Sequence, residues 1–182
     1  MDLHSNLTAA VIAYEGIQYQ HLSPQVMSEN QLEWLGEHLR ILSGFYGVLR
    51  PFDGVVPYRL EMQARLAVGD AQNLYEYWGD ALARSLARNA NTVVNLASVE
   101  YAKAVLPWAE KTGLSVLTCV FGELREGRFV QKATEAKAAR GTFVRWCAER
   151  DADDLNELRA FDERGYALDE SRSSADKLVF VR

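Results

Sequence analysis

Short apolar runs alternate along this chain with segments of helical period, and that alternation restricts the fold more than any other feature. The runs at residues 10–14, 39–43, 93–96, 115–121, 128–132 and 177–181 have the length of strands. Between them, residues 73–89 place Leu74, Trp78, Ala81, Leu82 and Leu86 on one helical face. Residues 134–149 do the same with Ala136, Ala139, Phe143 and Trp146. Strands alternating with helices predict an α/β fold, a mixed, mostly parallel sheet covered by helices. The 182 residues suit a single domain, and no repeat, low-complexity tract or long linker divides them.

Local signals set several boundaries. Ser28-Glu29-Asn30-Gln31 is a capping box, with Met27 and Leu32 in the staple positions, and opens a helix with Leu32, Leu35 and Leu39 on one face. Ser98 caps a helix over residues 99–105, with Glu100 in its first turn, and Pro107 is expected to end it. Glu126-Gly127 turns a hairpin, and residues 155–161 form a short helix. Residues 56–67 fit neither period.

Charge and cysteine content narrow the functional classes. The net charge is −5, so any nucleic-acid contact must rest on a local basic patch acting against a repulsive global field. Cys119 and Cys147 form no CxxC pair and read as reduced, buried thiols of a cytoplasmic protein. No apolar run approaches the ~20 residues of a membrane span. The first ten residues lack a basic region followed by an apolar core, so no signal peptide is expected. GxxxxGK[ST], GxGxxG and GxSxG are absent. His4, His21 and His38 are scattered, so no metal site and no cofactor are expected.

Three segments could carry chemistry. Residues 40–62 hold Tyr46, Arg50, Asp53, Tyr58, Arg59 and Glu61 among glycines and prolines. Arginines there could fork onto phosphate, or pair with Asp53 and Glu61 to pin a loop. Asn95 and Ser98, with Glu100 and Lys103, lie where a strand ends beside a helix start, the place where open α/β sheets bind ligands. Capping by Ser98 explains the same spacing. Lys132, Lys137 and Arg140 surround the start of the last long helix, where cations oppose the macrodipole unless an anion sits nearby. A solvated basic face paired with Glu135 or with acidic residues elsewhere is the alternative.

The string from Arg40 through Leu42-Ser43-Gly44-Phe45-Tyr46-Gly47 to Arg50-Pro51-Phe52-Asp53, running into Pro57-Tyr58-Arg59-Leu60-Glu61-Met62, resembles the signature of the YaaA family of peroxide-stress proteins. Leu74-Tyr75 with Trp78-Gly79-Asp80 resembles its LYxxWGD, and Asn95-Leu96-Ala97-Ser98 with Glu100-Tyr101 and Lys103 its NLAS-x-EYxK. Ala136-Lys137 with Ala139-Arg140-Gly141 is similar to its AKxARG, and Phe161, Gly165, Tyr166 and Asp169 to its closing FxxxGYxxD. Nothing like the family's opening strand, with its Ser-Pro-Ala-Lys signature, precedes Ala10. The chain thus looks like a member without that front part.

The resemblance implies a cytoplasmic protein that limits oxidative damage under hydrogen peroxide stress, is linked to lowering free iron, and binds DNA through a positively charged cleft. On that basis Arg50, Arg59, Lys103, Lys137 and Arg140 are expected to converge on one cleft beside Asn95 and Ser98, with Tyr46 and Tyr58 lining it. DNA phosphate is the expected partner, and binding is favoured over catalysis. An enzyme acting on a nucleotide-like or phosphorylated small molecule is the alternative, with Asp53, Glu61 or Glu100 as acid or base. Iron uptake by clustered carboxylates lacks ligand spacing. No membrane partner is expected, and oligomeric state is not legible.

Overall fold

The computed structural model describes residues 6–182; residues 1–5, with His4, lie outside the described residues. The first third of the chain is a layer of short elements. These are β1 Thr8–Ala9, α1 Ala10–Ala13, α2 Ile17–Leu22, α3 Glu29–His38, β2 Ile41–Ser43, β3 Gly47–Leu49 and β4 Gly54–Val55. β1 pairs with β4 and β2 with β3, both antiparallel. The capping box forms as the spacing predicts: Ser28 Oγ accepts from Gln31 N–H, and Gln31 Oε1 accepts from Ser28 N–H at 2.9 Å.

Residues 10–14, expected as a strand, instead make α1. Ala10 and Val11 donate their N–H groups to Asp53 and Pro51 carbonyls, and Tyr14 N–H closes one helical turn onto Ala10. A five-residue apolar run carries no period of its own, so tertiary bonds decided it.

α4 Leu74–Trp78 and α5 Ala81–Ala87 follow, then β5 Thr92–Asn95, α6 Val99–Ala102 and α7 Leu106–Thr112. Residues 73–89 are therefore not one helix. Gly79, at φ +47°, breaks the segment in a conformation that an L side chain rarely adopts. Pro107 lies in the first turn of α7 and begins a helix rather than ending one, since a first-turn residue has no helical bond for its nitrogen to make.

β6 Ser115–Arg125, β7 Arg128–Val130, α8 Ala133–Arg150, β8 Ala167–Leu168 and β9 Lys177–Val181 complete the chain. Residues 155–161 reduce to a 3-10 turn at Glu157–Ala160. The main sheet runs β5-β6-β9-β8, with β7 folded back on the far end of β6. Its centre is parallel: Val94 faces Leu117, and Phe121 faces Phe180. β7 and β8 join antiparallel, so the sheet is mixed.

α8 packs across this sheet. Phe143 and Trp146 meet Phe121, Phe161 and Phe180, with ring centroids 5.0 Å apart for Phe143–Phe161 and 5.2 Å for Phe121–Phe180. α2 lies on α8's other side so closely that a Cβ on Gly141 would stand 2.0 Å from the Gln18 carbonyl oxygen. That contact accounts for a glycine in the middle of a long helix.

Candidate functional site

A cleft of about 1000 Å³ lies between the α3–β2 layer and β5, bounded by the packed pair α2 and α8. Trp34, Leu39, Ile41 and Leu42 form one wall, and Val93, Val94, Leu96, Phe143 and Val144 the other. At one end Trp34 Nε1 donates to the Ala152 carbonyl at 3.1 Å, and His38 Nε2 lies 3.4 Å from Asp153, tying α3 to the segment after α8.

The polar lining carries both signs of charge: Arg40, Lys137 and Arg140 share it with Glu15, Glu37, Asp153 and Asp154. Lys137 and Arg140 stand one turn apart on α8, and Arg40 enters from the opposite layer. Neither Lys137 nor Arg140 makes an ion pair among the described residues. Lys137 is exposed, whereas Arg140 Nε is buried with no hydrogen-bond partner. Burial lowers the Arg140 pKa, yet a guanidinium keeps its charge at any physiological pH. Arg40 is also lowered by burial and then by the Arg50 charge; its Nη1 donates to the Leu39 carbonyl at 2.7 Å.

Tyr14, Tyr19 and Tyr101 line the cleft as well. Burial raises all three, and Tyr101, beside Glu100, is pushed up to about 12. They remain protonated hydroxyls at neutral pH.

Of the nine residues expected to converge, the structure brings Asn95, Ser98, Lys137 and Arg140 to this cleft. Asn95 and Ser98 spend their polar atoms locally. Asn95 Oδ1 accepts from Ala97 N–H, Asn95 Nδ2 donates to Thr118 Oγ1, and Ser98 Oγ caps α6 through Tyr101 N–H.

The other five do not line the cleft, because their segments are occupied in holding the fold together. Tyr46 hydroxyl accepts from Val56 N–H at 3.1 Å. Tyr58 sits one residue behind the wall, its hydroxyl 2.5 Å from that of Tyr14 and 2.6 Å from Ser43 Oγ. Ser43, fully buried, also accepts from Phe45 and Tyr46 N–H. Arg50 and Arg59 are exposed on either side of β4, and Asp53 accepts from the Arg50 main-chain N–H at 2.7 Å. No ion pair joins either arginine to Asp53 or Glu61 among the described residues. Lys103 lies over the Tyr75 ring at 5.4 Å.

Motif residues also tie the segments to one another. Trp78 Nε1 donates to the Gly44 carbonyl, and Tyr75 hydroxyl to the Glu100 carbonyl, both at 3.1 Å. Asp53, Glu61 and Glu100 stand outside the cleft lining. Arg40 is marked in the sequence only as the first residue of the signature string, and no spacing rule marks Tyr14 or Tyr19. Tyr101 had a signal, three residues after the Ser98 cap.

Cys119 and Cys147 are buried in the aromatic core, and burial pushes each thiol up to about 12. Neither presents a thiolate to an oxidant at neutral pH.

Fold and cleft together define an α/β protein with an apolar-walled cleft of mixed charge at the edge of a parallel strand. The chain belongs to the family described as peroxide stress protein YaaA, whose match spans residues 1–172. Among its relatives, the UPF0246 protein of Pediococcus pentosaceus is 51% identical over 182 residues, all of this chain and 72% of the relative. That of Lactiplantibacillus plantarum is 49% identical over 100% of this chain and 73% of the relative. That of Desulfitobacterium hafniense is 46% identical over 100% and 72%. No helix among the described residues is long and apolar enough to cross a membrane.

Proposed function

We propose that this chain acts in the cytoplasm under peroxide stress by binding DNA through phosphate contacts at the cleft mouth, and so limits the oxidative damage that free iron promotes. One observation carries the reading. Lys137 and Arg140 share a helical face with no acidic partner among the described residues, and Arg140 Nε is buried without an acceptor. A buried donor left unsatisfied costs about 1–3 kcal/mol, and an anionic oxygen removes that cost. Phosphate supplies such oxygens and rewards a second cation nearby. Among the described residues no group of three or more His, Cys, Asp or Glu comes together to hold a metal ion, and the proposal routes no iron through the chain.

Fluorescence anisotropy with a duplex at several salt concentrations tests it. Affinity is expected to fall steeply with salt, and in Lys137→Ala/Arg140→Ala the logarithmic slope should flatten by about 2. Binding that ignores salt, or that survives the double substitution unchanged, removes the proposal.

The cleft's volume favours a second reading. About 1000 Å³ is the upper end of small-ligand pockets, and the phenols and cations would suit a nucleotide-like or phosphorylated molecule. Asp53, Glu61 and Glu100 do not line it, whereas Glu15, Glu37, Asp153 and Asp154 do, so an acid or base for this reading would have to come from those four. A thermal-shift screen with nucleotides, giving no stabilisation, would remove this reading.

A further inference from the structure

The hydroxyl chain that ends at Tyr14 has one direction, and that direction leads into the cleft. Ser43 Oγ, fully buried, accepts from Phe45 N–H at 3.1 Å and from Tyr46 N–H at 2.9 Å. A hydroxyl oxygen has two acceptor positions, so both are filled, and Ser43 meets Tyr58 Oη at 2.6 Å as the donor. Tyr58 Oη in turn stands 2.5 Å from Tyr14 Oη. Were Tyr14 the donor in that pair, the Tyr58 hydrogen would have no acceptor among the described residues; donation from Tyr58 to Tyr14 leaves neither unmet. The order is therefore Ser43 to Tyr58 to Tyr14, and the Tyr14 hydrogen is the one left over. Tyr14 lines the cleft, with the Tyr19 ring stacked on it at 5.6 Å. Burial raises the Tyr14 pKa, so the group keeps that hydrogen and acts as a donor, not a base. Each donor in such a chain polarises the next, which makes the terminal hydroxyl a stronger donor than a lone phenol.

We propose that the cleft binds a small molecule whose flat ring carries an anionic oxygen, and that Tyr14 donates the end of this chain to that oxygen. The ring follows from the walls, where Ile41 and Leu42 stand opposite Val94 and Leu96 and the stacked Tyr14 and Tyr19 rings offer a flat face. The anionic oxygen follows from the chain, because a donor gains most from an ionised acceptor: charge-assisted hydrogen bonds are about twice as strong as neutral ones. A single anionic group follows from the lining. Arg40, Lys137 and Arg140 favour one negative charge, whereas Glu15, Glu37, Asp153 and Asp154 repel a molecule that carries many. Tyr14 is the residue that touches the ligand; Tyr58 and Ser43 act through it as positioning residues. None of this depends on the phosphate contact at Lys137 and Arg140.

Titration with para-nitrophenol, whose absorbance reports its ionised form, tests this. The probe's apparent pKa is expected to fall on binding, because the chain holds the phenolate better than the phenol. Tyr14→Phe keeps the ring against Tyr19 and deletes the donor, so phenolate affinity should drop about tenfold to a hundredfold, the worth of one hydrogen bond to a charged group. Tyr58→Phe and Ser43→Ala leave the Tyr14 hydroxyl in place and remove its polarisation from one and two bonds away. Loss of binding should therefore be largest for Tyr14, smaller for Tyr58 and smallest for Ser43. Loss of stability in denaturant unfolding should run the other way, since Ser43→Ala strands the N–H groups of Phe45 and Tyr46 and Tyr14→Phe strands no main-chain group. If Ser43→Ala does not fold, Tyr14→Phe against Tyr58→Phe carries the same comparison. Binding losses that follow the stability losses, phenolate affinity unchanged in Tyr14→Phe, or no binding of the probe each overturn the proposal. Duplex binding is read separately by salt dependence, so either idea fails without the other.

Discussion

The cations on the β7–β9 side of the sheet and those on the β5 side are held in opposite ways. On the first side Glu123 gathers Arg125 and Lys132, with Arg182 at 4.0 Å, and Glu135 takes Arg164 at 3.0 Å and Arg182 at 2.9 Å. Beyond them Arg159 meets Glu170, and Arg172 meets Asp169. On the β5 side Lys137 and Arg140 have no such partner among the described residues. One helix contributes to both sides. Glu135 lies two residues from Lys137, yet it serves Arg164, 29 positions away, because residues i and i+2 of a helix point to different sides. Proximity in sequence thus misassigns the pairing. The first set of cations is paired with carboxylates, and the second has no such pairing among the described residues.

The comparison breaks first at the helix that joins the two sides. Phe143→Ala empties a site that is 2% exposed and touches four aromatic rings. Denaturant unfolding should show a loss of about 3–5 kcal/mol. Gly141→Ala comes next, since its new Cβ would press on the Gln18 carbonyl and α2 must shift. Overpacking of this kind costs about 1–3 kcal/mol in the same measurement.

Smaller effects sharpen the contrast between the two sets of cations. Arg182→Met removes a guanidinium that also lies over the Tyr166 ring at 5.4 Å. Lost stability on the order of 0.5–1 kcal/mol is expected from that ring contact. Arg140→Met, by contrast, should be neutral or stabilising, because it deletes a buried donor that has no acceptor. Equal losses in the two variants would erase the distinction.

The smallest effect is in pH. The Lys132 hydrogen bond holds the Glu123 carboxyl below its usual range, and the Arg164 hydrogen bond does the same for Glu135. A folded pKa below the unfolded one gives stability that is complete above the unfolded value, about 4.3. That stability is lost as pH falls through the lower folded value. Thermal melts from neutral pH into acid should show the fall, and Glu135→Gln should make it shallower.

Features legible in the sequence were those decided within a few residues. The Ser28–Gln31 capping box, the Glu126-Gly127 hairpin turn and the buried stripe of α8 needed no distant partner. Where a distant partner decided, the reading failed. Residues 10–14 follow the carbonyls of Pro51 and Asp53 into a helix, and Gly79 breaks a segment whose apolar period runs straight through it. The site divides similarly. Lys137 and Arg140 share a face by spacing alone, but Arg40, Tyr14 and Tyr19 reach the cleft only because one layer folds against another.

By itself the sequence determined the class of fold, the strand and helix periods of the central sheet and α8, and membership of a family through its ordered motifs. Tertiary structure alone decided which cations are spent on carboxylates and which are left free. It also joined Ser43, Tyr58 and Tyr14 in one hydrogen-bonded chain. The physical reason is that periodicity and capping act between near neighbours, whereas charge pairing and long-range hydrogen bonding depend on groups that meet only after the chain has closed on itself.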